Sequence, residues 1–318
     1  MKQAYFLFFL LLTTHLFALT ELGVTYDFSH GRFGDNLITY LHAKWFAYEH
    51  QIPLIYKPFH YSSHLVLDDK EFKITELINF PRHRHYLDRG PVNPRIHLPI
   101  LYMCPYFPED DWEQRNTLSF NDIPWFYFQV NWKDPGFRKV VREMIAPKQP
   151  LSLVIPPRNC INIALHIREG GGYDDKVNLE WGSPDNPMKF PPLSFYAEGL
   201  KTVLESLNGQ DIYCYLFTDA QYPEELANQL RSHLPEGSSI QFDYRKKQNQ
   251  YNLNVLEDFF SFFNFDILIR SQSNFSMVPS LIHDFAMVYA PRDCEIEESG
   301  RVVITETTFQ INPEFFRW

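Results

Sequence analysis

Cysteine is scarce in this chain, and no stretch of it stays apolar for long. The four cysteines among 318 residues, Cys104, Cys160, Cys214 and Cys294, share no spacing typical of metal ligands. Their even number permits two disulfides. Cys160 and Cys214, however, sit in or beside apolar strand-like runs, where a free thiol serves as a small core residue. Positive charge is also in deficit. The 29 Lys and Arg against 39 Asp and Glu give a formal charge of −10 and a pI near 5.6. That balance argues against a nucleic-acid partner but leaves room for a small basic pocket. No Gly-x-Gly-x-x-Gly opens the first helical pattern and no acidic residue follows at the ribose-reading distance, which speaks against a nicotinamide-dependent dehydrogenase. Internal repeats and low-complexity tracts are missing as well.

The longest apolar stretch, Ala4 to Leu12 behind Lys2, continues weakly to Leu19. It falls short of the roughly 20 residues that span a bilayer comfortably. It reads as a secretory signal peptide over residues 1–19, with cleavage expected after Ala18 and an uncleaved signal anchor as the alternative.

What the chain does have is aromatic bulk, 17% Phe, Trp and Tyr within 45% hydrophobic residues, and a length that suits two α/β domains of about 150 residues each. The boundary is expected in the proline-rich stretch from Pro147 to Pro157, giving an N-terminal domain over 20–147 and a C-terminal one over 148–318. In the first, Val24 to Phe28 predicts a strand, followed by the turn Gly31-Arg32-Phe33-Gly34-Asp35-Asn36. A helix then carries Leu37, Leu41, Trp45 and Tyr48 on one face, and Ile52 to Tyr56 predicts the next strand. Glycines at such a strand-to-helix turn permit a tight bend beside a helix N-terminus. An ordinary turn with an N-cap is the competing account. The irregular region from His60 to Lys133 holds a local basic run, Phe80 to Tyr86, which lines a phosphate or acceptor cleft or is a solvated loop. Its histidines have no carboxylate or cysteine at a familiar ligand spacing, so no metal site is assigned. Gly136 to Ile145 predicts a helix.

The second half alternates strands and helices. Strands are expected at Ile161–Ile167, Ile212–Thr218, Ile240–Tyr244, Asp266–Ile269 and Ala286–Tyr289. The intervening helices are a Ser194-capped one bearing Tyr196, Leu200, Val203, Leu204 and Leu207, then Glu224–Leu234, Val255–Phe263 and Met277–Phe285. The pattern is that of a doubly wound parallel sheet. Ligands of such sheets bind outside the carboxyl ends of the strands, and three of those ends carry polar residues. The first has His166 and Arg168, leading into Gly170, Gly171 and Gly172. The second has Asp219, and the third Ser271 to Asn274. Arg presents a fork of donors suited to phosphate oxygens, and glycines let backbone N–H groups approach an anion. A carboxylate such as Asp219 can accept from the N1 and N2 donors of guanine; a helix cap is its plainer role. Asn274-Phe275-Ser276 is formally a glycosylation sequon. A glycan there would obstruct a nucleotide site, so Asn274 is expected to be unmodified.

These motifs, in this order, resemble those of the fucosyltransferases that form α1,2-, α1,6- and protein O-fucosyl linkages, with the α1,2 branch nearest in pattern. The GRxGNQ-like loop of that superfamily is matched by Gly31 to Asn36, and its HxRxGD-like motif by His166 to Gly170. The TD/SD pair ending the next strand is matched by Thr218-Asp219, and the Ser/Asn-rich loop by Ser271 to Ser276. Pro191 to Leu200 is similar to the helix following the central motif in the α1,2 branch, and Glu257-Asp258 to the acidic pair that opens the penultimate helix. The resemblance covers the second half in register but only the first loop and helix of the first half. It implies a GT-B fold, two Rossmann-like domains facing across a cleft, and an inverting, metal-independent transfer from a GDP-sugar, most simply GDP-fucose, to a glycan or glycoprotein acceptor. No cofactor is implied beyond the donor. A signal sequence beside such a site points to the ER or Golgi lumen, or to export. By the resemblance, Arg168 holds the β-phosphate as GDP leaves, and His166 and Asp219 read guanine. Ser271, Gln272 and Ser273 contact phosphate or ribose, and Gly31, Arg32, Gly34 and Asn36 face the donor. Two features depart from the pattern: Glu169 to Asp174 forms a longer loop than R-x-G-D, and Asp35 stands where Asn is usual. The general base is open among Asp35, Glu169 and Asp174. A catalytically inactive glycan- or nucleotide-binding relative is the alternative function.

Overall fold

The computed structural model describes residues 23–26, 31–51, 53–73, 100–103, 130–172, 174–207 and 210–312. The expected signal segment and the basic run from Phe80 to Tyr86 lie outside these residues. The chain divides into two compact units, and the GRFGDN turn is shared between them. Gly31 and the described residues between Asn36 and Ala146 belong to the first unit, while Arg32 to Asp35 join the described residues from Pro147 onward in the second.

In the first unit, β1 (Gly23–Tyr26) pairs in parallel with β2 (Ile100–Met103). Helix α1 (Phe33–His50) buries Leu37, Leu41 and Trp45 as expected, but every residue from Leu37 to Ala43 is buried, so it is covered nearly all round and not on one face, and Tyr48, expected on the apolar face, is 38% exposed. The expected strand Ile52–Tyr56 shrinks to two isolated bridges at Leu54 and Ile55. A one-turn helix, α2 (Leu67–Lys70), precedes α3 (Pro135–Ile145). Asp134 caps α3 by accepting from the Phe137 N–H at 2.7 Å, and Pro135 fills the first helical position, where its missing donor costs nothing.

The second unit is a six-stranded sheet flanked by helices, with β3 (Ile161–Ile167) near its centre. The chain continues through α4 (Leu193–Ser206), β4 (Ile212–Thr218), α5 (Pro223–Ser232), β5 (Ile240–Tyr244) and α6 (Val255–Ser261). It then forms β6 (Ile267–Arg270), α7 (Asn274–Ile282), β7 (Met287–Ile296) and β8 (Val302–Ile311). The strand order is β5-β4-β3-β6-β7-β8. Ile163, Leu165 and Ile167 face a core shared with α4 and α5, while Ala164 faces a second core made of Phe217, Phe262, Phe265 and Leu268. Burial of both faces explains why β3 reads as a nearly continuous apolar run.

Three local differences from the sequence-based expectations have physical reasons. The sheet is not wholly parallel, because β7 runs on past Tyr289 and turns back as a hairpin with β8, the two pairing antiparallel. Helix α4 starts at Leu193 with Pro192, not Ser194, before it; proline favours an extended preceding geometry and a helix start. Helix α7 starts three residues early, at Asn274, so Pro279 lies inside it instead of in its first turn.

Candidate functional site

The order β4-β3-β6 carries a topological switch. From β3 the chain moves through α4 to β4 on one side, and later enters β6 on the other. The crevice outside such a point is where open α/β sheets take ligands. Here Ile167 is level with Thr218 and His166 with Arg270, so Arg168, Asp219 and Ser271 emerge side by side.

Arg168 is buried and held on two sides. Its Nη2 donates to Asp174 Oδ2 at 2.8 Å, and its Nε lies 3.6 Å from Asp219 Oδ2. The guanidinium carbon sits 5.2 Å from the centre of the Phe190 ring, a cation–π contact that fixes the plane of the fork. Asp219 Oδ1 accepts from the Glu169 N–H at 2.6 Å, pinning the start of the glycine loop. Burial pushes the Asp219 carboxyl above its ordinary range, against the pull of Arg168 and that N–H.

The loop itself returns Asp174 to Arg168. Gly170, Gly171 and Gly172 all have positive φ, at 108°, 115° and 73°. A Cβ on Gly170 would lie 2.2 Å from the Asp175 carbonyl oxygen, so only glycine allows this path. Gly171 and Asp174 bridge each other, the Gly171 N–H donating to the Asp174 carbonyl at 2.8 Å. Asp174 then meets three cations. Its Oδ2 accepts from Arg168 and, at 2.7 Å, from Arg32 Nη2, and its Oδ1 accepts from Lys189 Nζ at 2.8 Å. Burial alone would raise this carboxyl, but Lys189 and Arg168 outweigh it and hold the group below its usual range.

Arg32 reaches this point because residues Arg32 to Asp35, which belong to the second unit, are tied to the first turn of α7. Asp35 accepts from the Arg32 N–H at 2.8 Å, the carboxylate half of a capping box, and from Asn274 Nδ2 at 2.6 Å. Gly34 makes the approach sterically feasible: a Cβ there would stand 2.5 Å from the Phe275 backbone nitrogen. The Arg32 guanidinium also donates to the Gly171 carbonyl and lies 4.6 Å from the Tyr251 ring centre. Burial, together with neighbouring Arg168, lowers its pKa. Asn36 turns the other way, donating to the Gly31 carbonyl at 3.3 Å.

The remaining predicted residues are placed behind this front. His166 is buried, with Nδ1 2.7 Å from Ser276 Oγ and its ring against Phe262 and Phe275. Burial, then the charges of Arg168 and Arg270, push it down to about 3, so it is a neutral imidazole. Ser271 is fully buried beside Tyr196. Gln272 donates its side-chain amide to the Pro291 carbonyl at 2.8 Å, and Ser273 precedes the first turn of α7. The structure thus brings together Arg32, Arg168, Asp174, Asp219 and Lys189. Sequence reasoning missed Lys189 entirely and named Asp174 only as a candidate base. For Lys189 the available signal was its place just before Phe190-Pro191-Pro192, at the entrance to α4.

The second unit is therefore an α/β domain with an arginine-lined crevice at its switch point. No family model and no curated protein matches this chain. Solved structures of similar arrangement include a mutant of Arabidopsis thaliana FUT1 in complex with GDP, at 11% identity over 90% of this chain and 74% of that one, with a TM-score of 0.48. The fucosyltransferase NodZ from Bradyrhizobium is 12% identical over 92% of this chain and 100% of its own, with a TM-score of 0.42. POFUT1 in complex with GDP-fucose is 10% identical over 84% and 95%, also at 0.42.

Proposed function

We propose that this protein is a glycosyltransferase of GT-B type that moves a sugar, most simply L-fucose, from a GDP-sugar to a glycan or glycoprotein acceptor, with inversion and without a metal. The observation that carries the proposal is the convergence of Arg32, Arg168 and Lys189 on one carboxylate at the switch point. Three donors of that charge, arranged around a single acceptor, form a seat for a diphosphate. The guanine preference is what the resemblance of the four motifs to those of the fucosyltransferases implies.

In this mechanism a sugar leaving GDP passes through an oxocarbenium-like state while negative charge grows on the β-phosphate. Arg168, desolvated and held by Phe190, stabilises that charge as it develops; Arg32 and Lys189 share it. Asp174 keeps the three cations in place and yields to the phosphate oxygens as donor binds. Of the three base candidates, Asp174 and Asp35 have their carboxylates committed to several donors. Among the described residues the Glu169 carboxylate has only Lys176 at 3.7 Å, which favours Glu169 as the group that accepts the acceptor's proton. His166 is a positioning residue that ties β3 to α7 through Ser276. The N-terminal segment would direct the enzyme to a secretory lumen, where donor and glycoprotein acceptors meet.

The test is calorimetric titration of the protein with GDP, with ADP and UDP as controls, and the same titrations on Arg168→Ala. Micromolar GDP binding, weakened on the order of 10²-fold by the substitution, supports the donor site. Folded protein that ignores GDP refutes it. GDP binding without sugar release from GDP-fucose across an acceptor screen would instead identify an inactive relative.

A further inference from the structure

A second concavity shares no lining residue with the arginine crevice. Glu180 and Trp181, the start of α4 at Leu193 and Ser194, and the end of α5 at Gln229, Ser232 and His233 form most of its wall. The β7–β8 turn at Glu297, Ser299 and Arg301 completes it, and it encloses about 520 Å³. None of these residues has a role in the donor chemistry. The volume falls within the range of small-molecule sites.

Trp181 sets the character of this cleft. It is 45% exposed, and among the described residues its indole stacks on no other ring. Its backbone, by contrast, is fixed. The Trp181 carbonyl accepts from the Val302 N–H at 2.8 Å and its N–H donates to the Asn178 carbonyl at 3.1 Å. Gly182 then turns at a φ of 74°, with a virtual Cβ 2.9 Å from the Phe190 carbonyl oxygen. An exposed, unstacked indole on a rigid support inside a concavity presents a flat apolar face to whatever enters it.

Around it stand groups that donate and accept hydrogen bonds without a dominant charge. They comprise two carboxylates, one guanidinium, one imidazole, one carboxamide and three hydroxyls. His233 Nδ1 is occupied by the Gln229 carbonyl at 2.8 Å, which leaves Nε2 for a ligand. A phosphate ligand would meet Glu180 and Glu297, and an apolar peptide would bury too many polar groups unpaired. A sugar ring matches both features, since its apolar face lies on an indole and its hydroxyls exchange hydrogen bonds at the rim.

We propose that this cleft is a saccharide-binding site separate from the donor crevice, with Trp181 as its stacking platform. It rests on the proposed function only in taking the acceptor to be a glycan. It would anchor part of an extended acceptor, or a neighbouring glycan on the same molecule, away from the transfer site.

The experiment is a screen of the full chain on a glycan array, followed by titration of the best-bound oligosaccharide against wild type, Trp181→Ala, Trp181→Phe and Gln229→Ala. GDP titration and thermal unfolding are run on each variant. The expected result is at least a tenfold loss for Trp181→Ala and a smaller loss for Gln229→Ala. Trp181→Phe should recover most of the affinity, with GDP binding and melting temperature unchanged throughout. Failure to bind any glycan, or equal glycan affinity in Trp181→Ala, overturns this site. Failure of GDP binding with glycan binding intact would overturn the donor site and leave this one standing.

Discussion

Asp174→Asn removes one negative charge from the point where Arg32, Arg168 and Lys189 meet while keeping the size of the side chain. Two consequences of opposite sign follow. Without ligand, three cations lose their shared counter-ion, and the variant should be less stable by about 1–2 kcal/mol, less than for a fully buried pair because Lys189 and Arg32 retain some solvent. With ligand, the diphosphate no longer competes with a resident carboxylate. Two unit charges about 4 Å apart interact by about 4 kcal/mol at an effective dielectric near 20. Solvent and side-chain relaxation reduce this to about 1–2 kcal/mol, a gain of roughly 5- to 30-fold in GDP affinity. The assay is thermal unfolding at increasing GDP together with calorimetry. The variant should melt below wild type without GDP, and its melting temperature should rise faster with nucleotide. The pH profile should change as well. In wild type the depressed carboxyl contributes stability above the usual carboxylate range that is lost as pH falls through its folded pKa; the variant lacks that loss. A folded Asp174→Asn protein that binds GDP more weakly than wild type would refute the reasoning, because Asp174 would then be organising the loop for the ligand and not standing in for it.

Three further outcomes follow from the same geometry. Gly34→Ala should cost about 1–3 kcal/mol or more, because the new methyl meets Phe275 and Asn274 backbone at 2.5 and 2.7 Å; an unchanged melting temperature would show that Gly34 and Phe275 do not approach this closely. His166 takes up a proton below about 6.5 when unfolded but only near 3 when folded. Unfolding therefore binds a proton in that window, and stability should fall by up to about 1.4 kcal/mol per pH unit as pH drops below about 6.5. His166→Gln should flatten this slope by one proton, and an identical slope in urea titrations would contradict a buried neutral imidazole. Asn274 should carry no glycan when the protein is secreted from a eukaryotic host, since its amide is bonded to Asp35 and Ser276 Oγ lies against His166. A mass increase at Asn274 removed by an N-glycosidase would contradict that placement.

Strands β3 and β4, which carry the site, are legible because burial on both faces leaves a nearly unbroken apolar run, and Ile161–Ile167 and Ile212–Thr218 match the expected bounds to the residue; the edge strand Ile240–Tyr244, apolar at alternate positions and mostly half-buried, matches as well. By contrast β8 was not seen, since an edge strand of Val, Thr and Glu, mostly exposed, carries no core signal. Period-two alternation could have sorted His166. It shares its face with Ala164, which packs on Phe262 and Phe265, while Ile163, Leu165 and Ile167 point the other way. Arg168, one residue past the strand, is released from that alternation, so of this polar pair only Arg168 reaches the crevice front. What no local pattern encodes is the meeting of Arg32 with Asp174, 142 residues apart. It depends on a close helix approach at Gly34 and on three positive-φ glycines, whose separate signals are two ordinary turns. Taken together they explain why the loop after Arg168 is long. A compact turn would leave the arginines facing one another, whereas six residues are enough to bring a carboxylate back between them.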